Sequence, residues 1–210
     1  MELYRGSWNI ALAPLGVQQA LSLGRHTEGQ WSKIYHSDLG RTTRTAKCIQ
    51  QYSPEAELIS TKALRPMHLG SLEGKEITTE TQTFINKYYR KLQDKRLPGI
   101  SSKSGEPGDS LNSFLKRLLT FISKTEKTLT PGEKIVMVSH YRDVQAWRSW
   151  LNEGEPKEFS VDIDMFCRKG PQEPGSLWWL DPEDRKLVES EDARKPGLYI
   201  ARHGKTSANA

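Results

Sequence analysis

This sequence of 210 residues predicts an α/β fold in three layers, with helices on both faces of a mostly parallel central sheet. Three observations carry that expectation. Apolar strand-like runs alternate with stretches of helical period, the pattern of βαβ units. The run Ile135-Val136-Met137-Val138 is apolar without interruption, as expected of a strand buried on both faces. Two such runs also end on a histidine: His140 follows Met137-Val138-Ser139, and His203 follows Ile200-Ala201-Arg202. Open α/β sheets place their ligands just outside the carboxyl ends of their strands.

Taken in order, Val17, Ala20, Leu21 and Gly24 recur at i, i+3, i+4 and i+7, so a first amphipathic helix is expected there. Residues 33–37 read as a short strand, 42–51 as a helix and 57–60 as a second strand. The stretch 65–110 is rich in Gly, Pro, Lys and Ser and reads as irregular chain, broken by a helix over 79–92. Asp109 and Ser110 can cap the next helix, whose apolar face is Leu111, Phe114, Leu115, Leu118 and Ile122. After the 135–138 strand and His140, Val144, Trp147 and Leu151 mark another helix. Residues 176–180 and 185–189 read as strands joined by the turn Asp181-Pro182-Glu183-Asp184, an edge hairpin. Leu198 to Ala201 is the last strand. No internal repeat or second domain is visible, so 1–210 reads as one domain.

Composition narrows the function classes. At 35% hydrophobic with six tryptophans, the chain is long enough and apolar enough to bury a core. No apolar run reaches the length of a membrane span, and the start does not read as a signal peptide. Cys48 and Cys167 form neither a metal-ligand spacing nor a disulfide framework, which fits a reduced, cytoplasmic protein. The net charge of +5 suits an anionic ligand. It would also attract nucleic acid, but no continuous basic run or interleaved aromatic stripe supports such a partner.

The residues at the strand ends carry the chemistry. His203 and His140 are joined by Arg202 and by Arg41, which opens a helix after Ser37-Asp38-Leu39-Gly40. This set suits phosphoryl transfer, where catalysis is mostly positioning and electrostatic stabilisation of charge spread over phosphoryl oxygens. Guanidinium forks bind such oxygens in bidentate geometry, and a helix N-terminus adds backbone donors. Asp38 reads as a loop or capping residue, and His26 and His36 as surface residues.

The pattern Arg202-His203-Gly204-x-Thr206-x-x-Asn209 resembles the signature of the histidine phosphatase (phosphoglycerate mutase-like) superfamily. Ser37-Asp38-Leu39-Gly40-Arg41 is similar to the family's Ser-Asp-Leu-x-Arg segment. The spacing of Gly6, Leu12, Gly16, Gln19 and Ala20 matches a family segment that follows the signature, with Asn9 in place of an aspartate and Ala11 in place of a proline. In relatives the signature opens the chain. The resemblance therefore implies a circularly permuted chain in which Ala210 to Met1 is the restored junction and 189–197 links the original ends.

The resemblance also implies that 65–110 is a lid or insertion covering the site, and it implies roles. His203 would be the nucleophile, Arg202, Arg41 and His140 would clamp the phosphoryl group, and Asn209 and Thr206 would complete the phosphate pocket. Neither metal nor other cofactor is expected. The implied partner is a small phosphorylated substrate, with no nucleic acid and no membrane. The family's acid glutamate is replaced by Pro66 in Leu64-Arg65-Pro66-Met67-His68-Leu69-Gly70-Ser71-Leu72-Glu73-Gly74. His68 is the first candidate for the displaced general acid, because its ordinary pKa lies near the operating pH, and Glu73 the second. Arg142 and Lys205 could meet a second anionic group or be solvated. The expected activity is metal-independent phosphomonoester hydrolysis through a phosphohistidine. A phosphoglycerate mutase-type phosphotransferase and a non-catalytic phosphate- or phosphoprotein-binding module stay open as alternatives.

Overall fold

A computed structural model describes residues 2–152, 159–168 and 173–206. In chain order the elements are α1 (Pro14–His26), β1 (Lys33–His36), α2 (Gly40–Gln50), β2 (Glu57–Ser60), α3 (Thr79–Lys91), α4 (Leu111–Lys127), β3 (Lys134–Ser139), α5 (Tyr141–Asn152), α6 (Ile163–Cys167), β4 (Leu177–Asp181), β5 (Lys186–Ser190) and β6 (Gly197–Arg202).

Among the described residues the sheet has six strands in the order β2-β1-β3-β6-β4-β5. β2, β1, β3 and β6 are parallel neighbours, and β4 runs antiparallel to both β6 and β5. The expected edge hairpin is therefore present. In-register pairing of Ser139 with Arg202 brings the ends of β3 and β6 to the same level, and with them His140 and His203.

The period of two along each strand divides the core into two apolar layers. Ile135 and Met137 of β3 and Leu198 and Ile200 of β6 face a cluster with α4, α5 and α6, including Phe114, Trp147 and Phe166. Val136, Val138, Tyr199 and Ala201 face the other side, against Leu23 of α1 and Ala46 and Ile49 of α2. An uninterrupted apolar run is what a strand covered on both faces requires.

Capping follows the local sequence. Ser110 accepts from the Ser113 N–H at the start of α4, and Thr78 forms a reciprocal box with Thr81 at α3. Asp38 does not cap α2. It forms a two-pronged ion pair with Arg65 (2.6 and 2.8 Å), and that guanidinium holds its carboxyl below the ordinary range. The segment expected as a linker over 189–197 is partly sheet, since β5 runs to Ser190 and β6 begins at Gly197. Its remainder is tied down by bonds from the Trp179 indole to the Pro196 carbonyl and from the Tyr199 hydroxyl to the Lys195 carbonyl. Among the described residues, no helix is long and apolar enough to cross a membrane, and Cys48 and Cys167 are free thiols.

Candidate active site

Four elements build the site. β6 delivers Arg202 and His203, β3 delivers His140, α2 delivers Arg41 in its first turn, and the loop 5–9 crosses in front of them. His140 caps α5: its carbonyl accepts from the N–H groups of Asp143 and Val144. The His140 and His203 rings meet edge to face with centroids 5.1 Å apart.

The hydrogen bonds fix both tautomers. His203 Nδ1 lies 2.6 Å from the Gly204 carbonyl oxygen, which can only accept, so Nδ1 carries the proton and neutral His203 keeps a lone pair on Nε2. His140 is the reverse. Arg41 Nε donates to its Nδ1 at 3.3 Å, so Nε2–H donates to Ser37 Oγ at 2.9 Å. Ser37 continues to Thr42 Oγ1 at 2.6 Å, and Thr42 donates to the Leu39 carbonyl. Both ring nitrogens of His140 are thus engaged by protein groups. His140 orients Arg41 as much as it could meet a ligand.

Arg41 is only 2% exposed. Besides its bond to His140, Nη1 donates to the Trp8 carbonyl (2.7 Å) and Nη2 to the Gly6 carbonyl (2.8 Å). One guanidinium therefore ties the loop 5–9 to the strand ends. Asn9 fastens the same loop by accepting from the Gly40 N–H at 2.7 Å.

Arg5, on this loop, is a site residue that the sequence reading missed. Its Nη1 donates to Thr206 Oγ1 at 2.7 Å. Arg202 lies over the Tyr141 ring, 5.2 Å from its centroid. Three guanidiniums thus share one partly desolvated region with two buried imidazoles. Burial lowers the Arg41 pKa to about 10, with Arg5 adding repulsion. Burial and then the neighbouring arginines hold both His203 and His140 well below the ordinary histidine value. Such a concentration of positive charge favours an anion between these groups.

Asp143, fully buried behind them, has the opposite shift. Burial raises its pKa to about 7, against a bond from the Ser139 hydroxyl and attraction from Arg117 and Arg41. Between its ordinary value and about 7 the folded protein holds a proton that the unfolded chain has released, so stability is lost as pH rises through that window. The Tm of Asp143→Asn should therefore rise relative to wild type between about pH 4 and 7 and level off above that. A constant Tm difference across that range would contradict the shift.

The turn after His203 needs close backbone approach. A Cβ on Gly204 would stand 2.2 Å from the Gly16 carbonyl oxygen, and one on Gly16 would stand 2.0 Å from the Lys205 carbonyl oxygen. These are backbone contacts that cannot swing away. Gly204→Ala should cost about 1–3 kcal/mol and displace the loop that positions His203, lowering both Tm and turnover. Wild-type values of both would show that the turn tolerates the methyl group.

Several expectations on individual residues are changed by the geometry. His36 is buried, not on the surface: β1 alternates and turns it inward, where Nδ1 donates to the Ser37 carbonyl. His26 is exposed, as expected. Glu73 is only 3% exposed and accepts from Ser7 N and Oγ, Leu69 N, Ser101 Oγ and Ser104 Oγ. Both oxygens of this side chain are thus engaged by groups of the loop 5–9 and the segment 65–110. Arg142 donates to the Phe166 carbonyl and lies over the Tyr89, Tyr141 and Phe166 rings. Lys205 is fixed by its backbone N–H to Gln19. His68 Nδ1 lies 2.6 Å from Ser7 Oγ, on the same loop that Arg41 holds. Asn209 lies outside the described residues. Among those described, no three His, Cys, Asp or Glu side chains gather as a metal ion would need. A cleft of about 420 Å³, lined by Asn9, Ala11, Leu12, Val17, Gly40 and Arg44, contains none of the clustered histidines and arginines that carry the chemistry.

A mostly parallel α/β sheet gathers two histidines and Arg202 at its strand ends, with Arg5 and Arg41 beside them, an arrangement of charge suited to a phosphoryl group. Residues 2–167 match the model of the histidine phosphatase superfamily (branch 1), and the chain belongs to that superfamily. It is 29% identical over 140 residues to the probable phosphoglycerate mutase GpmB of Salmonella paratyphi C, covering 65% of this chain and 60% of that relative. The chain thus spans about 60% of the length of the curated relatives it matches.

Among solved structures, it resembles YhfR of Bacillus stearothermophilus (TM-score 0.64, 18% identity, covering 90% of this chain and 89% of that one). It also resembles the alpha-ribazole phosphatase of Shigella flexneri (TM-score 0.60, 19% identity, 93% and 90%). A third is the mycobacterial glucosyl-3-phosphoglycerate phosphatase Rv2419c in complex with inorganic phosphate (TM-score 0.62, 16% identity, 90% of each). At these identities the likeness establishes the fold.

The expectation of a circularly permuted chain is corrected. Residues 2–167 match the family model as one stretch, and no reordering is shown. That expectation rested on the order of short motifs, which carry false positives. Arg202-His203-Gly204 lies beyond the matched stretch, and the supposed junction at Ala210 and Met1 lies outside the described residues.

Proposed function

We propose that the protein is a phosphomonoester hydrolase that works through a phosphohistidine on His203. The observation that carries this reading is the neutral His203 ring, with Nδ1–H spent on the Gly204 carbonyl and Nε2 left as a nucleophile among Arg5, Arg41 and Arg202. In the first step Nε2 attacks phosphorus, the P–O bond to the alcohol breaks, and the alcohol oxygen takes a proton. In the second, water attacks phosphorus, the P–N bond to His203 breaks, the water gives up a proton, and phosphate is released. Covalent catalysis of this kind divides one hard displacement into two easier ones.

The guanidiniums neutralise charge on the phosphoryl oxygens, with Thr206 orienting Arg5. Arg41 keeps the second N–H of each terminal nitrogen for a ligand while holding the loop. His68, carried by the segment 65–110 that we read as the cover of the site, protonates the leaving group in place of the glutamate replaced by Pro66.

Hydrolysis is favoured over mutase chemistry because a mutase must grip a second phosphate, and Arg142 is committed to the Phe166 carbonyl and three aromatic rings. The test is turnover of p-nitrophenyl phosphate in EDTA with acid-stable and base-stable phosphoenzyme analysed separately. A base-stable, acid-labile phosphoryl group on the peptide containing His203 is expected. Phosphate or vanadate binding without turnover would move the protein to the non-catalytic class.

A further inference from the structure

We infer that Ser7 is a positioning residue that holds the proton of His68 on Nδ1 and thereby makes Nε2 the atom that exchanges a proton with the leaving group. The inference deepens the hydrolase reading above and rests on it.

The proton count on Ser7 carries the argument. Its Oγ lies 2.7 Å from Glu73 Oε1 and 2.6 Å from His68 Nδ1. A hydroxyl has one proton to give. The Ser7 N–H also donates to Glu73 Oε1 at 2.7 Å, and that carboxylate is surrounded by donors. Ser101 Oγ accepts from the N–H groups of Lys103 and Ser104, and Ser104 Oγ accepts from the Glu106 N–H. Their hydroxyl protons are therefore left for Glu73 Oε2. Glu73 accepts throughout, so the Ser7 proton goes to Glu73 and the Ser7 lone pair faces His68. His68 Nδ1 must then be the N–H partner.

The relay is held in place at both ends. Arg41 grips the carbonyls of Gly6 and Trp8 on either side of Ser7. The His68 main chain is paired twice with Asp109, through its N–H to Oδ2 (3.0 Å) and its carbonyl to the Asp109 N–H (2.8 Å). Gly6 has φ of +43°, and a Cβ there would stand 2.3 Å from Glu73 Oε1, so only glycine lets the buried carboxylate reach Ser7. Ser7 and Glu73 are each 3% exposed, whereas His68 is only partly buried, as a residue that meets substrate must be.

The step balances. Cationic His68 gives its Nε2 proton to the alcohol oxygen as the P–O bond breaks, and stays neutral with Nδ1–H on Ser7. When water attacks the phosphohistidine, Nε2 takes the proton back. Glu73 fixes the Ser7 hydroxyl without touching substrate, so both act through His68.

The experiment compares wild type, Ser7→Ala, Ser7→Thr and His68→Gln on ethyl phosphate and p-nitrophenyl phosphate, with nitrogen-15 NMR of the His68 ring. p-Nitrophenolate leaves with little protonation, so loss of an acid spares it. His68→Gln should lower kcat/KM on ethyl phosphate about 10²-fold, and Ser7→Ala about tenfold, both keeping kcat/KM on p-nitrophenyl phosphate, which does not include the shared dephosphorylation step, within about threefold. Ser7→Thr, which keeps the hydroxyl, should stay near wild type on both. Neutral His68 should be the Nδ1–H tautomer in wild type and shift towards Nε2–H in Ser7→Ala. Equal losses on both esters in Ser7→Ala, or an Nε2–H tautomer in wild type, would overturn the relay. A wild type active on both esters with His68→Gln unchanged would overturn the relay alone. A wild type that hydrolyses neither would overturn the hydrolase reading and this role with it.

Discussion

His203→Ala is expected to lower kcat/KM for p-nitrophenyl phosphate by about 10⁴-fold or more, because it removes the atom proposed to form the covalent bond. What remains is binding and charge stabilisation by the arginines, which cannot replace a nucleophile. The variant should still bind phosphate, since Arg5, Arg41 and Arg202 approach the site from three separate elements. Its loss should fall in kcat, with competitive inhibition by phosphate retained. In wild type the same residue sets a pH signature. Burial and neighbouring arginines keep His203 neutral well below the usual histidine value. The active form is the neutral one, so p-nitrophenyl phosphate turnover should persist as pH falls through about 6.5 and fail only at lower pH. Turnover unchanged in His203→Ala would remove the nucleophile assignment.

Arg41→Ala should lower kcat/KM by about 10²–10³-fold and also lower Tm. The two effects have separate causes. Rate is lost because a charged fork beside the phosphoryl group is gone. Stability is lost because the carbonyls of Gly6 and Trp8 lose their donor, each at about 1–3 kcal/mol if left buried and unmet. Arg41→Lys separates them: a single ammonium keeps charge but cannot meet two carbonyls and His140 Nδ1 together. It should recover part of the phosphate affinity and little of the loop's stability. A reduced Tm with kcat/KM within about threefold of wild type would make Arg41 a structural residue only.

What the sequence disclosed about this site depended on distance along the chain. His140, His203, Arg202 and Arg41 were legible because each stands where an apolar run ends or a helix begins. Arg5 was not, because its partner Thr206 lies 201 residues away and nothing local marks the pairing. Ser37 and Ser7 were hidden for the same reason, bonded to His140 and His68 across 103 and 61 residues. His36 was misjudged because a polar residue ending a short strand reads as solvated unless the covering helix is known. α6 has only five residues, too few for a helical period to emerge. Motif order misled most: short matches located the strand-end residues but gave a permutation that the family match does not show. The two faces of the sheet were read more securely, because alternation along β3 and β6 is a local property.

β6 pairs with β3 on one side and β4 on the other, and it is the last of the six strands in chain order. Without β6 the sheet is two unconnected pieces, β2-β1-β3 and β4-β5, each with an open hydrogen-bonding edge. Leu198 to Arg202 join them, and the next residue in the chain is His203. Completion of the sheet and placement of the His203 imidazole are thus coupled. An unfinished chain carries two sticky borders and lacks His203.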